Sequence, residues 1–180
     1  MSSSTKLAWL GLNDIDVTDA LSAFLSTGCV FYDFGAGAGY HSLMASRVAG
    51  PGGAVYSFES SPRHLSYLHN HIEMNRARNI RVFAMPEGGT HEWRLDTLAL
   101  SRGLAPPDLV RIHAPGREVE VLRGCRALLA AAKPVVVLTV TPAANAAAER
   151  DSVHCSWLLR ELGYRVTTKP GGEIVMVATP

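Results

Sequence analysis

The sequence predicts a three-layer α/β fold: a doubly wound, mostly parallel sheet between helices, with an antiparallel hairpin at its C-terminal end. Three observations predict it. Strand-length apolar runs such as Val135-Val136-Val137-Leu138 alternate with segments of helical spacing, as in successive β-α-β units. A glycine-rich turn, Gly35-Ala36-Gly37-Ala38-Gly39, follows the first strand and opens a helix. Near the end, two strand-like segments flank Lys169-Pro170-Gly171-Gly172, which reads as a hairpin. The 180 residues suit one domain, with 1–28 as a helical lead-in and 29–180 as the sheet and its flanking helices.

Each element follows from local chemistry. Asp16 to Ser26 opens with cap candidates and aligns Ala20, Leu21, Phe24 and Leu25 on one helical face. Cys29 to Phe34 is the first strand, and Tyr40 to Val48 is a helix stopped by Gly50-Pro51-Gly52-Gly53. Ala54 to Phe58 is the second strand. Ser61-Pro62 supplies an N-cap with proline at the first helical position, and Leu65, Leu68 and Ile72 share the face behind it. Ile80 to Ala84 is the third strand, Met85 to Arg94 a loop, and Leu95 to Ser101 a short helix. Leu109 to Ile112 is the fourth strand. Val121, Leu122, Cys125, Leu128, Leu129 and Ala132 then repeat as one helix, ended by Lys133-Pro134. Val135 to Val140 is the fifth strand, residues 143–148 are an exposed loop or weak helix, and Asp151 or Ser152 caps a helix through Leu162. Tyr164 to Thr168 and Glu173 to Ala178 form the hairpin.

Composition narrows the partners. With 17 Lys plus Arg against 16 Asp plus Glu, the net charge of +1 predicts no phosphate-tracking surface, and hence no nucleic acid partner. No apolar run approaches the ~20 residues of a membrane span, and Met1-Ser2-Ser3-Ser4 does not resemble a signal peptide, so the cytoplasm is the expected location. Cys29, Cys125 and Cys155 sit in apolar contexts and read as structural. His41, His64, His69, His71, His91 and His154 lack ligand spacing, so no metal site is expected; His69 and His71 read as surface groups.

The glycine turn carries the chemistry. A strand ending in Asp33, followed by alternate glycines, lets backbone approach a ligand, and Glu59 at the next strand end offers a carboxylate to ribose hydroxyls. The spacing is not the Gly-x-Gly-x-x-Gly of a dinucleotide site, which disfavours a nicotinamide oxidoreductase. A carboxylate at Asp33 would repel a pyrophosphate but could pair with an amino acid's ammonium, directly through the cofactor or through a water. That combination fits S-adenosylmethionine.

The order Asp33-Phe34-Gly35-Ala36-Gly37-Ala38-Gly39-Tyr40-His41-Ser42, Val55-Tyr56-Ser57-Phe58-Glu59-Ser60-Ser61-Pro62 and Leu68-His69-Asn70, continued by Leu95-Asp96-Thr97-Leu98, Pro107-Asp108-Leu109-Val110-Arg111-Ile112 and Val121-Leu122-Arg123-Gly124, resembles the FkbM family of S-adenosylmethionine-dependent methyltransferases. The resemblance covers about residues 27 to 140. It implies a seven-stranded class I methyltransferase fold of Rossmann-like type, with the cofactor held by Asp33, Gly35, Ala36, Gly37, Gly39, Tyr40, Glu59 and Ser60. It also implies O-methylation of a small-molecule acceptor, often a sugar-type hydroxyl.

The chain departs from that pattern at the end of strand four. There the family's Lys-Ile-Asp-Val-Glu-Gly is replaced by Arg111-Ile112-His113-Ala114-Pro115-Gly116, and its glutamate near the end of strand five by Thr139. His113 has three readings: a neutral general base, an acceptor-binding group, or an inert replacement. The first makes it the catalytic candidate, and the last leaves a noncatalytic binding subunit as the alternative function. Asn70 and Asn75 read as helix capping and exit rather than cofactor ligands. Arg111, Arg117 and Arg123 read either as attraction for an anionic acceptor or as solvated helix-end charges. Trp93 reads as an acceptor wall or a core-closing aromatic. The shortened loop before Leu95 leaves room for a second copy or a partner protein to complete the pocket.

Overall fold

The computed structural model describes residues 14–86, 95–140, 147–169 and 174–180. Seven strands, β1 (Val30–Phe34), β2 (Ala54–Glu59), β3 (Ile80–Ala84), β4 (Leu109–His113), β5 (Val135–Val140), β6 (Arg165–Lys169) and β7 (Ile174–Thr179), join in one sheet. Their order is β3-β2-β1-β4-β5-β7-β6. The first five run parallel, and β7 is antiparallel to both β5 and β6, so the mostly parallel sheet and its C-terminal hairpin are as the sequence predicts. The chain leaves β1 toward β2 and β3 on one side and returns to β4 on the other. The topological switch therefore lies between β1 and β4, where open α/β sheets bind ligands at the strand ends.

Alternation along β1 sets the layers. Phe31 packs with Val17 and Leu21 of α1 (Ile15–Ser22) and with Ala45 and Ala49 of α2 (Tyr40–Ala49). Tyr32 and Phe34 point the other way, into a larger core with Leu95 of α4 (Leu95–Ser101), Val121 of α5 (Glu118–Gly124), Leu129 of α6 (Arg126–Ala132) and Leu159 of α7 (Ala147–Glu161). Asp33 therefore faces the α1–α2 layer, in line with Phe31. The remaining helix, α3 (Pro62–Met74), buries Leu68 and is capped by Ser61, whose Oγ accepts from the His64 amide at 3.4 Å. The three cysteines are buried and free. Among the described residues no helix is long and apolar enough to cross a membrane.

Several boundaries differ from expectation for identifiable reasons. The helix expected across Val121 to Ala132 is two helices, broken at Cys125, whose φ of −113° and ψ of 18° are not helical. Asp96 of α4 caps the second one: its carboxylate accepts from the Ala127 amide at 2.9 Å and the Leu128 amide at 2.7 Å. Asp151 and Ser152 do not cap the following helix but lie within α7, which begins at Ala147. Residues 87–94, including His91 and Trp93, and residues 143–146 of the expected loop or weak helix lie outside the described residues.

Candidate functional site

The turn from β1 into α2 is built from glycines held for different reasons. Gly35 has φ +75°, and a Cβ there would lie 1.8 Å from the His113 carbonyl oxygen, so the close approach of β1 and β4 at the switch point requires glycine. Gly39 is covered by Leu68, whose Cδ1 would lie 2.5 Å from an added Cβ. Gly37 has nothing within 4 Å of that position, which leaves its face of the turn open.

A hollow of about 530 Å³ opens beside this turn. It lies within the ~300–1,000 Å³ range of small-molecule sites. Of the residues predicted from sequence, Gly35, Ala36, Gly37, Tyr40, Glu59, Ser60 and His113 line it, whereas Asp33 and Gly39 do not.

Glu59 is 5% exposed and closes one wall. Its carboxylate accepts from the Gly37 amide at 2.6 Å, the Ser60 amide at 2.9 Å and the Ser61 amide at 2.8 Å. The same side chain thus ties the glycine turn to the end of β2. A carboxylate offers about four lone-pair positions, so one remains for a ligand hydroxyl. His71 holds the turn from another direction, its Nδ1 donating to the Ala38 carbonyl at 2.8 Å. It is half-buried on α3, and this contact with the turn is one that its spacing in the sequence did not reveal.

Asp33 is fully buried behind the turn, and its partners explain why it does not reach the hollow. Arg111 Nη1 donates to its Oδ1 at 2.7 Å and Ser42 Oγ to its Oδ2 at 2.6 Å. Arg111 also donates to the Gly35 carbonyl at 3.2 Å. Neither sequence reading of Arg111 anticipates this: it is 4% exposed, neither solvated nor free to act as an unpaired surface charge. The buried pair is charge-compensated, which is the condition for keeping both groups ionised away from water. Arg111 nonetheless lines the hollow, and its Nε is buried without a hydrogen-bond partner. Arg117 lines it too and pairs with Glu120 at 3.0 Å, while Arg123 lies elsewhere, 3.3 Å from His154.

His113 reaches the hollow from the end of β4 and is half-buried. Thr139, its neighbour across β5, is fully buried with no hydrogen bond to Oγ1 and does not line the hollow. His41 and His64 also line it, which spacing could not reveal because each comes from a different helix. His41 is pushed down to about 3, first by burial and then by the Arg111 charge, so it stays neutral at ordinary pH. Asp14 and Glu59 are the carboxylates among the described lining residues. No group of three or more His, Cys, Asp or Glu among the described residues is placed to hold a metal ion. Asn75 is the C-cap of α3, its amide donating to the His71 carbonyl at 2.8 Å, as expected of a helix exit.

No family model matches the sequence, and no curated protein matches it. Solved structures do. The precorrin-6y C5,15-methyltransferase of Geobacter metallireducens GS-15 is similar over 91% of this chain and 88% of its own, at TM-score 0.68 and 22% identity. Fibrillarin of Aeropyrum pernix, solved with natively bound S-adenosylmethionine, is similar over 91% of this chain and 74% of its own, at TM-score 0.66 and 15% identity. An rRNA methylase of Streptococcus thermophilus is similar over 89% of this chain and 92% of its own, at TM-score 0.62 and 15% identity. The fold is thus that of the Rossmann-like S-adenosylmethionine-dependent methyltransferases. The expectation of no nucleic acid partner is corrected by the same comparison, because the fold is shared with an rRNA methylase. The exclusion rested on a near-neutral net charge and on no local basic patch being legible along the sequence, whereas basic side chains distant in sequence gather into a patch only in the fold.

Proposed function

We propose that this chain is an S-adenosylmethionine-dependent methyltransferase, with the cofactor over the 35–39 turn and the acceptor beside His113. The observation that most supports this reading is the hollow at the β1–β4 switch point, where the Gly37 amide and the Glu59 carboxylate meet at 2.6 Å. Ribose hydroxyls suit the remaining acceptor position of Glu59 and compete for the one that Gly37 occupies. The unused Nε of Arg111 suits the methionine carboxylate, with Asp33 acting through Arg111 as a positioning residue rather than by direct contact.

When bound, the cofactor supplies a methyl group on a sulfonium, open to in-line attack by an acceptor lone pair. The chain's own task is to place the acceptor and take its proton. His113 is the candidate base, at the mouth where β4 ends, because imidazole is a side-chain type suited to accepting a proton. The finer reading, FkbM kinship with O-methylation of a small-molecule or sugar-type hydroxyl, rests on the motifs of residues 27 to 140 and on this imidazole. A cytoplasmic, single-domain protein whose site a second copy or partner protein completes belongs to the same reading.

The alternative is a noncatalytic binding domain. It is favoured by the lining of the hollow, where the carboxylate nearest the glycine turn, Glu59, already accepts three backbone hydrogen bonds.

Calorimetric titration with S-adenosylmethionine and S-adenosylhomocysteine tests the proposal. Micromolar binding, about −8 kcal/mol, is expected, and Glu59→Ala should weaken it by at least about tenfold, equivalent to ~1.4 kcal/mol. Equal affinity in the variant would remove Glu59 from the site. Absence of binding to either ligand would overturn the cofactor assignment altogether.

A further inference from the structure

A second hollow, of about 490 Å³, lies at the opposite end of the strands, between the C-terminal end of α2 and the exit of α3 into β3. Arg47, Arg76 and Arg78 line it, and no carboxylate does. All three are exposed, and among the described residues none forms an ion pair or side-chain hydrogen bond.

Arginines at helix C-termini ordinarily complement the free carbonyls and the negative end of the dipole. Here several of those carbonyls are taken by other donors. Asn79 Nδ2 donates to the Gly50 carbonyl at 2.8 Å and the Ser46 carbonyl at 3.2 Å. At the end of α3, the Arg76 amide donates to the Glu73 carbonyl at 3.0 Å and the Ala77 amide to the Ile72 carbonyl at 3.1 Å. None of these bonds uses a guanidinium of Arg47, Arg76 or Arg78. Asn79 also cross-links the two walls, which holds the backbone carrying Arg47 close to that carrying Arg78. Arg76 adds a second indication: it holds φ at 51°, a left-handed position that glycine or asparagine occupies with less strain. A bulky cation at such a position gives the backbone no advantage.

We propose that this hollow binds phosphate oxyanions, carried by a nucleic acid backbone or by a free phosphate ligand, two sources that the test below distinguishes. Three guanidiniums around one concavity match the charge and the bidentate geometry of phosphate. The inference is independent of the methyltransferase reading, since the two hollows share no lining residue.

The test is fluorescence anisotropy with a labelled single-stranded RNA, with inorganic pyrophosphate as competitor, on the wild-type chain and on the triple variant Arg47→Ala, Arg76→Gly, Arg78→Ala. Three phosphate contacts give a log–log salt slope of about −2, or about a 20-fold loss of affinity between 50 and 200 mM salt. The triple variant should bind at least about tenfold more weakly, while a control lacking Arg123, Arg126 and Arg160, on α5, α6 and α7, should bind as the wild type does. Pyrophosphate binding that the triple variant loses, without RNA binding, would assign the hollow to a free phosphate ligand. No binding of either probe at 50 mM salt, or equal losses in the triple variant and the control, would overturn the proposal. Arg76→Gly relieves strain, so a folded triple variant is expected; circular dichroism and a thermal melt check it.

Discussion

His41 shows how burial converts an ordinary residue into a pH-dependent stability element. It is 4% exposed, with Nε2 3.5 Å from Thr18 Oγ1. The Arg111 charge and the neighbouring His113 add to desolvation in disfavouring its protonated form, and the Asp33 charge only partly opposes them. Because its folded-state value of about 3 lies below that of an unfolded histidine, the unfolded chain binds a proton that the folded one refuses. Stability is therefore unaffected by this group above about pH 6.5 and falls as pH drops below it, by at most ~1.4 kcal/mol per pH unit. Urea unfolding of the wild type and His41→Gln at pH 7.5, 6 and 5 should show the wild type losing more stability on acidification. Parallel profiles would mean that His41 titrates in the folded state as it does in the unfolded one.

At the scale of elements, the break between α5 and α6 is bridged by a cap supplied from a distant part of the chain. Asp96 reaches from α4 to the first turn of α6, and its two oxygens satisfy two adjacent amides that have no partner within the helix. It also places a negative charge at the positive end of α6. Asp96→Ala should cost about 0.5–2 kcal/mol, or roughly 2–4 °C in Tm per kcal/mol for a chain of this size. Asp96→Asn should retain part of that stability. A thermal melt unchanged by both substitutions would show that water replaces the cap at no cost. The apolar period through Val121 to Ala132 made a helical layer legible, but the local backbone at Cys125 interrupts it without breaking the face that meets the sheet.

For the whole molecule, the approach of β1 to β4 decides whether a pocket exists. Gly35 sits at that contact, Gly37 two residues away faces open space, and both have positive φ. Identical substitutions should therefore differ. Gly37→Ala should cost ~1–2 kcal/mol of left-handed strain, whereas Gly35→Ala adds a collision with the His113 carbonyl and should cost more, separating the strand ends. Denaturant unfolding of the two variants measures the difference, and equal losses would show that the contact relaxes freely.

The sequence by itself determined the parallel α/β class, the five parallel strands and the C-terminal hairpin, because apolar period and turn chemistry are local properties. It also marked Glu59 and the glycine turn, since a strand end followed by glycines is readable one residue at a time. Only the tertiary structure decided that Asp33 is occupied by Arg111 and Ser42, that His41 and His64 share a wall with His113, and that His71 supports the Ala38 carbonyl. The same is true of Arg47, Arg76 and Arg78 around the second hollow, which an overall charge of +1 conceals. Most of these arrangements join distant residues, 33 positions apart for His71 and Ala38 and 78 for Arg111 and Asp33, and burial and pairing at such distances depend on the layer into which each side chain is turned. That orientation is fixed only when the sheet twists, the helices pack on both its faces, and each polar group has found its partner.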